Sequence, residues 1–411
     1  MTTLIWFLII FGTIVIVHEF GHYFFARRSG ILVREFSIGM GPKLYSHRSG
    51  STAYSLRLLP LGGYVRMAGW QDEEADVRPG MNVSLISGAD GKVTRINTSD
   101  KLMLEGGIPV QVDKADLVDD LVIRGYEAGN EDELKTYFVD HDATVIEKDG
   151  TEVQIAPRDV QFQSVSIWRR ILVNFAGPMN NFLLAFIAFF LLALGMGVPS
   201  TSNTVGVVTH DSAAQVAGLK SGDKIQRVDG TKTTSFNAVA KAVNSAGNRQ
   251  ITLTVQRGSQ TKQMQVKPRS GLIGIRSSID RGLGTAAKYA VTEPWVMTRQ
   301  ILHALKSLVF GGFSLNKLAG PVGIYQMTNQ ATTGGLFTII WFMASLSINL
   351  GIMNLLPIPM LDGGKIVLNF IEMIRRKPLA PEHEGAVMLV GAALVFALMI
   401  AVTINDILRI F

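Results

Sequence analysis

"IVIVHEFGHYFFARR", residues 14–28, is the stretch that decides the architecture of this 411-residue chain. It contains two histidines and a glutamate in a run of isoleucine, valine, phenylalanine and tyrosine, and it ends in two arginines. Ionisable side chains are costly inside a membrane-spanning helix, where they need a partner or a function. Either these three side chains carry out chemistry within the membrane, or they form a polar patch that packs against another helix.

Four apolar stretches are long enough to cross a bilayer, which takes about 20 residues. They are residues 4–26, 171–198, 336–357 and 386–404. Hydrophobic residues make up 47% of the chain and charged residues only 18%, which favours a polytopic α-helical membrane protein with four transmembrane helices. We expect the first stretch to be a retained helix and not a signal peptide, because it lacks a basic leader and a small-residue cleavage pattern.

Lysines and arginines follow the first stretch, precede the second and lie between the third and the fourth, which places these ends on the cytoplasmic side. Both termini and residues 199–335 are then predicted to lie outside, and residues 27–170 in the cytoplasm. The formal net charge of +6 conceals an acidic block at residues 71–160, where 9 basic and 21 acidic residues leave −12. The basic excess flanks the spans, so we expect contact with anionic lipids and no binding to nucleic acid.

His18 and His22 lie four residues apart, so on a helix they share one face and can bind the same metal ion. Glu19 completes the H-E-x-x-H pattern, in which the glutamate is the general base toward water. The chain has no cysteine, so any further ligand must be a histidine or a carboxylate. These residues predict a metal site within the first span.

A catalytic zinc ion usually has three protein ligands and a water in the fourth position. We predict Asp362 as the third ligand, in the segment "NLLPIPMLDGG" of residues 354–364. Pro357 and Pro359 break a helix here, and backbone groups freed in this way are tolerated at membrane depth only beside a polar cavity. A surface turn is the alternative. The prediction is one zinc ion per chain, held by this carboxylate and the two histidines.

The segments "HEFGH" and "NLLPIPMLDGG" resemble those of the site-2 protease family of intramembrane zinc metalloproteases. "LGGYVRM" at 61–67 and "AGPMNNF" at 176–182 are similar to motifs of its bacterial branch, which includes regulator-of-sigma-E protease. The resemblance implies a zinc endopeptidase of the bacterial cell membrane. Its substrates would be membrane segments that another protease has already shortened, such as those of anti-sigma factors, or remnant signal peptides, in regulated intramembrane proteolysis.

The same resemblance implies roles for individual residues. His18, His22 and Asp362 correspond to the zinc ligands, and Glu19 to the base. Two asparagines are also implied to act on the substrate: Asn354 would position it or stabilise the oxyanion, and Asn181 would contact the substrate strand. The acidic block fits the family pattern poorly, and its favoured interpretation is a solvated β domain without a catalytic role.

The segment "AGLKSGDKIQRVDG", residues 217–230, is similar to the hallmark of PDZ domains, and "FNAVAKAVNSA", residues 236–246, to their peptide-groove helix. Such domains bind extended peptides by adding a strand to a sheet edge. Peptide capture and size filtering of substrates are both compatible with the sequence. Residues 34–67 alternate polar and apolar side chains, which predicts a β-hairpin. The resemblance places this hairpin at the membrane, and a plain cytoplasmic hairpin is the alternative.

The predicted fold class combines four transmembrane helices with a membrane-associated β region, a cytoplasmic β-rich insert and an extracytoplasmic PDZ domain. The segments are the first helix (1–33), the β-hairpin region (34–70), the acidic insert (71–165), the second helix (166–200), the PDZ domain (201–277), an amphipathic linker (278–334), the third helix with its broken segment (335–385) and the fourth helix (386–411). We expect a monomer whose partners are the lipid bilayer and single-span membrane proteins or signal peptides as substrates.

Two other functions compete with proteolysis. A zinc transporter also holds metal by intramembrane histidine and aspartate, but it needs ligands along a path and usually has internal repeats, whereas this sequence has one such cluster and no repeat. A non-catalytic PDZ scaffold would not need histidine and glutamate side chains in lipid. The remaining histidines that we considered are predicted to lie at the surface: His47, His210, His303 and His383.

Overall fold

The computed structural model of the chain describes residues 2–69, 77–99, 106–128, 130–311, 315–377 and 379–409. The chain forms two compact units. The larger unit comprises Met1–Ala185 and Val296–Phe411, and the smaller unit comprises Phe186–Trp295. Parts of the predicted insert, residues 71–76, 100–105 and 129, lie outside the described residues.

The α-helices are α1 (Thr2–Arg28), α2 (Ile167–Met196), α3 (Ala213–Val216), α4 (Phe236–Ser245), α5 (Leu283–Phe310), α6 (Pro321–Thr333), α7 (Leu336–Asn354), α8 (Asp362–Arg375) and α9 (Pro381–Leu408). The strands are β1 (Val33–Ser49), β2 (Thr52–Met67), β3 (Asn82–Ser87), β4 (Val93–Asn97), β5 (Ile108–Asp116), β6 (Val122–Glu127), β7 (Asn130–Ile146), β8 (Glu152–Gln154), β9 (Val198–Pro199), β10 (Val205–Val208), β11 (Lys224–Val228), β12 (Thr231–Lys232), β13 (Ile251–Arg257), β14 (Gln260–Val266), β15 (Ile275–Ser277) and β16 (Ile279–Asp280).

Four of the described helices, α1, α2, α7 and α9, are long and apolar enough to cross a membrane, which agrees with the four predicted spans. The third span is shorter than predicted, since α7 ends at Asn354 and not at residue 357. Pro357 cannot donate a helical hydrogen bond and disfavours helix in the residue before it. After this break the chain starts a separate helix, α8, at Asp362, where the sequence had indicated only a broken continuation of the span.

Two glycines let α8 begin close to the preceding turn. A Cβ atom on Gly363 would lie 2.3 Å from the carbonyl oxygen of Leu355, and one on Gly364 would lie 2.2 Å from that of Ile358. No side chain fits at either distance, so only glycine permits this backbone approach. The compact turn therefore fixes the position of Asp362, the first residue of α8.

Strands β1 and β2 form an antiparallel hairpin, as predicted, and the hairpin folds back on itself. Residues 35–38 of β1 pair with residues 53–56 of β2 on one side, and residues 33–38 of β1 pair with residues 63–67 of β2 on the other. The segment of residues 63–67 is consequently at an edge of the sheet. Within the described ranges, no further strand pairs with it.

The acidic insert is rich in β structure, as predicted. Strands β3 to β8 form one sheet in the order β4-β3-β5-β6-β7-β8, and a parallel pairing of β4 with β7 closes it on itself. Its core consists of buried aliphatic side chains, among them Leu85, Ile96, Ile123 and Val145. The segment "EKDGTE", residues 147–152, forms the turn that leads from β7 into β8.

The smaller unit contains a four-stranded sheet in the order β12-β11-β13-β14, the pair β10–β15 and helix α4. Helix α4 matches the helix predicted for residues 236–246, and the Ser235 side chain caps its start by accepting a hydrogen bond from the Ala238 amide. Burial would raise the pKa of Asp223, but hydrogen bonds from Arg257 outweigh it and hold that pKa below its usual range. This ion pair stabilises the turn that precedes β11.

Candidate metal centre

His18 and His22 of α1 meet Asp362 of α8 in one buried cluster. The two Nε2 atoms are 3.2 Å apart, and each lies 3.3 Å from Oδ2 of Asp362. All three side chains are buried. The structure thus brings together the three residues that the sequence predicted as ligands, although Asp362 is far from the histidines in the chain.

The three donor atoms fit a zinc ion. Zinc binds imidazole nitrogen and carboxylate oxygen at about 2.0 Å, so neighbouring ligand atoms of a tetrahedral site are about 3.3 Å apart. The observed separations of 3.2, 3.3 and 3.3 Å match the three edges of such a tetrahedron. In addition, Oδ2 of Asp362 is buried and has no hydrogen-bond partner among the described residues, which suits an atom that binds a cation.

Groups on α2 orient both imidazole rings. Nδ1 of His22 lies 2.8 Å from the carbonyl oxygen of Val173, so it carries the proton and leaves Nε2 free to bind a metal. Nδ1 of His18 lies 3.1 Å from the amide nitrogen of Asn181, whose buried amide oxygen has no other partner among the described residues. Rotating the Asn181 side-chain amide by 180° exchanges its nitrogen and oxygen. The oxygen then accepts a hydrogen bond from Nδ1–H of His18, which again leaves Nε2 free to bind a metal.

The other predicted site residues surround the same cluster. Nδ2 of Asn354, the last residue of α7, is 3.5 Å from Nε2 of His18. Glu19 is half-buried and lines the cavity in front of the histidines. Asn181 was predicted to contact the substrate strand, but its side chain is fully buried behind the His18 ring. This position suits a residue that acts through His18.

A cavity of about 1250 Å³ opens in front of the cluster, within the larger unit. Its walls come from α1, from residues 62–67 of β2, from the end of α7 and from the start of α8. The acidic insert, which was expected to be a solvated β domain without a catalytic role, supplies a further wall. The insert residues that line the cavity are Arg78, Met81, Thr98, Glu147, Lys148 and Asp149.

The sequence matches Peptidase family M50 over residues 6–398. The chain belongs to Peptidase family M50. Among curated proteins it is 47% identical to "Probable protease eep" of Enterococcus faecalis and 43% identical to "Putative zinc metalloprotease" of Streptococcus pneumoniae, each over the full length of both chains. It is 49% identical, again over both full lengths, to "Putative zinc metalloprotease M6_Spy1682" of Streptococcus pyogenes.

The membership agrees with the donor set and with the apolar helices. This M50 chain is a membrane-integral zinc metalloendopeptidase. His18, His22 and Asp362 form the one group in the described part of the chain in which three histidine or acidic side chains converge closely enough to hold a metal. The other four histidines considered from the sequence are exposed, as predicted.

A network of charged side chains in the M50 protease's hairpin also faces the cavity. Glu35 is buried and accepts hydrogen bonds from Arg57 at 3.0 Å and from the Tyr64 hydroxyl at 2.8 Å. Burial, and then the Glu35 carboxylate, raise the pKa of Tyr64, so its hydroxyl keeps the proton that it donates. The network ties two strands of the hairpin together beside Glu19.

Helices α1 and α2 cross at two glycines, for which no role was predicted. A Cβ atom on Gly21 would lie 2.3 Å from the carbonyl oxygen of Ala176. One on Gly177 would lie 2.3 Å from Nε2 of His22 and 2.8 Å from Nε2 of His18. These glycines allow the backbone of α2 to approach both imidazoles. The sequence signals were the positions of Gly21 within "HEFGH" and of Gly177 within "AGPMNNF".

We expect Gly177→Ala to lower zinc affinity and turnover by about 10–100-fold, the usual cost of displacing the groups that support a metal ligand. The added methyl group has to displace the His22 ring, because 2.3 Å is far inside van der Waals contact. Zinc per chain and peptide cleavage are the measurements. Gly12→Ala is the matched control, since a Cβ atom there meets nothing within 4 Å. Normal zinc content and turnover in Gly177→Ala would contradict this packing.

Proposed function

We propose that this metalloendopeptidase hydrolyses peptide bonds within the transmembrane segments of pre-trimmed substrates, such as anti-sigma factors or remnant signal peptides, in regulated intramembrane proteolysis. The observation that carries the proposal is the position of the metal centre. Two of its three ligands and the adjacent Glu19 belong to α1, a helix apolar enough to span a membrane. A site built there has access to bonds that water-soluble proteases cannot reach.

Zinc held by His18, His22 and Asp362 would polarise the scissile carbonyl group and make water more acidic. The Glu19 carboxylate then takes a proton from the attacking water and passes it to the leaving amine. Asn354, whose amide nitrogen is near His18, donates a hydrogen bond toward the negative charge that develops on the peptide oxygen.

Asn181 has a different role in this proposal from the one implied by the sequence. Its side chain is fully buried, so it does not reach a substrate in the cavity. Its amide holds the Nδ1 side of His18, and its backbone carbonyl accepts a hydrogen bond from Ser347 of α7 at 2.9 Å. We therefore assign Asn181 of α2 as a positioning residue. It fixes the orientation of the His18 ring and links this part of the site to α7.

A substrate helix must unwind before its peptide bonds can be cut, because each carbonyl group is hydrogen-bonded within the helix. Residues 63–67 of β2 offer a partner for the unwound segment. They lie at an edge among the described strands and line the cavity beside Glu19, so this edge can bind an extended chain. We propose that the hairpin is associated with the membrane and receives the substrate in this way.

We also propose the predicted sidedness, with both termini and a PDZ domain at residues 201–277 outside and residues 27–170 in the cytoplasm. Support for the PDZ assignment comes from the sheet with helix α4 and from the "AGLKSGD" segment. The orientation depends on arginines at the span ends, such as Arg27 and Arg28. The enzyme is proposed to act as a monomer in the lipid bilayer.

The test of this function uses a single-span substrate in membranes, in a full-length form and in a form whose outer domain has been trimmed. We expect the cut to map within the span, and a PDZ domain that acts as a size filter would make the trimmed form the faster one to be cleaved. Deleting residues 203–270 should relax this dependence. Glycine in the span should favour cleavage, since each costs a helix about 1 kcal/mol relative to alanine.

The intact enzyme and the variant that lacks residues 203–270 must contain equal amounts of zinc for their cleavage rates to be compared. A cut outside the span would contradict the intramembrane proposal. Equal cleavage of the two substrate forms by the intact enzyme would exclude the size filter and leave peptide capture as the role of the PDZ domain.

A further inference from the structure

The acidic insert is attached to the hairpin by ion pairs that converge on the turn between β7 and β8. Arg66 binds Glu147 at 2.7 Å, and Lys43 binds Asp149 at 3.3 Å. Residues 34–67 carry five basic side chains and one acidic side chain, so the hairpin complements the charge of the insert. Lys43 and Arg66 of the hairpin thus have acidic partners within the protein.

The pair of Arg66 and Glu147 differs from the others because it is buried. The two side chains are only 12% and 9% exposed, whereas the Asp149 carboxylate is 46% exposed. Burying two charges costs several kcal/mol of desolvation, so such a pair is a poor source of stability, and one use of it is to fix the position of a particular segment. The pair joins residues that are 81 positions apart in the chain.

Both partners of this pair line the cavity that contains the metal centre. Arg66 belongs to the edge segment of β2, directly opposite Glu35 in the register of the hairpin. Glu35 is itself held by Arg57 and Tyr64. The edge segment is therefore fixed on its inner side by the hairpin network and, at Arg66, by the insert.

We propose that the insert is a positioning element of the active site, in which Glu147 holds Arg66 and thereby keeps residues 62–67 in the extended form that binds substrate. The proposal rests on the proposed function, since it concerns the substrate of that site. It gives the insert a role in substrate binding, which a solvated accessory domain would not have. Glu147 acts through Arg66 and not on the reacting atoms.

The test exchanges the two charges. Glu147→Arg and Arg66→Glu are each expected to raise KM about tenfold, within the range of coupling energies found for residues in contact. The kcat and the zinc content should change little, because uniform loss of substrate binding affects KM alone. The double variant restores the pair in reverse and should recover most of the loss in KM.

Glu152→Gln is the matched control. Glu152 also connects the insert to the hairpin, through Arg48 at 3.2 Å, but it does not line the cavity. We expect it to leave KM unchanged. Thermal unfolding of every variant reports whether the fold is intact, and a photocrosslinker at Val65 in the Glu19→Gln background measures substrate binding without turnover.

The inference is overturned if the single variants keep a normal KM and normal crosslinking at Val65. It is also overturned if the double variant is no better than the single ones, or if Glu152→Gln raises KM as much as they do. A wild-type enzyme that crosslinks substrate but cuts no membrane span would refute the proposed function and not this role of the insert. The two failures are therefore distinguishable.

Discussion

Replacing Glu19 with glutamine is expected to leave zinc bound and to lower the turnover of a single-span substrate by about 10²–10⁴-fold, the usual contribution of a general base. Glutamine keeps the shape of the side chain but cannot accept a proton. Glu19 is not one of the three residues that converge on the metal position, so its replacement should not empty the site. Zinc per chain and single-turnover cleavage are the measurements.

Glu384→Gln serves as the control, because this carboxylate in the first turn of α9 does not line the cavity. It should retain full turnover. Near-normal cleavage by Glu19→Gln with zinc bound would show that another residue is the base. The experiment also separates the three functions considered, since neither a zinc transporter nor a non-catalytic scaffold cleaves a span in the wild-type form.

The local part of the metal centre could be predicted from the sequence because helical geometry alone determines it. His18 and His22 must share a face of any helix that contains both, and the apolar sequence around them makes a helix the expected structure. Asp362 could be proposed from the scarcity of other acidic groups near a span and from the family resemblance. That α8 begins at this residue was not predicted, because the close backbone approach of Gly363 and Gly364 depends on the turn before them.

The contacts across the helices were not accessible from the sequence. Gly177 is one of 41 glycines in the sequence. Its neighbours in the chain do not show that a Cβ atom added at this position would lie 2.3 Å from Nε2 of His22. The burial of Asn181, on which its proposed positioning role depends, was likewise not predicted. Both features depend on how α1 and α2 cross, which is a property of tertiary packing and not of either helix.

The position of the acidic insert likewise depends on tertiary contacts that could not be predicted from the sequence. Its strands and the turn at residues 147–152 were predictable from alternating side chains and turn residues. Its net charge of −12 could be counted from the sequence, but the basic residues that pair with its acidic side chains could not be identified. Ion pairs such as Arg66–Glu147 join residues far apart in the chain, so the insert's place in the cavity wall emerged only from the fold.

His22→Ala is expected to abolish both zinc retention and activity while the protein still inserts into the membrane. The substitution removes one of three ligands, and the remaining imidazole and carboxylate cannot complete a catalytic zinc site, which usually has three protein ligands. It also removes the hydrogen bond to the Val173 carbonyl, which lies 2.8 Å from Nδ1. The helix itself should persist, because alanine is the best helix former and the rest of α1 is apolar.

The measurements for this prediction are zinc per purified chain, by atomic absorption, and cleavage of the trimmed single-span substrate. His303→Ala is the matched control, since His303 is an exposed histidine on α5 and should retain both zinc and turnover. Adding excess zinc should not restore the activity of His22→Ala. A catalytic zinc site needs three protein ligands and an open position for water, and a higher zinc concentration does not supply the missing ligand. Stoichiometric zinc in a variant that lacks both His18 and His22 would show that the metal is bound elsewhere and would overturn the assignment of the site.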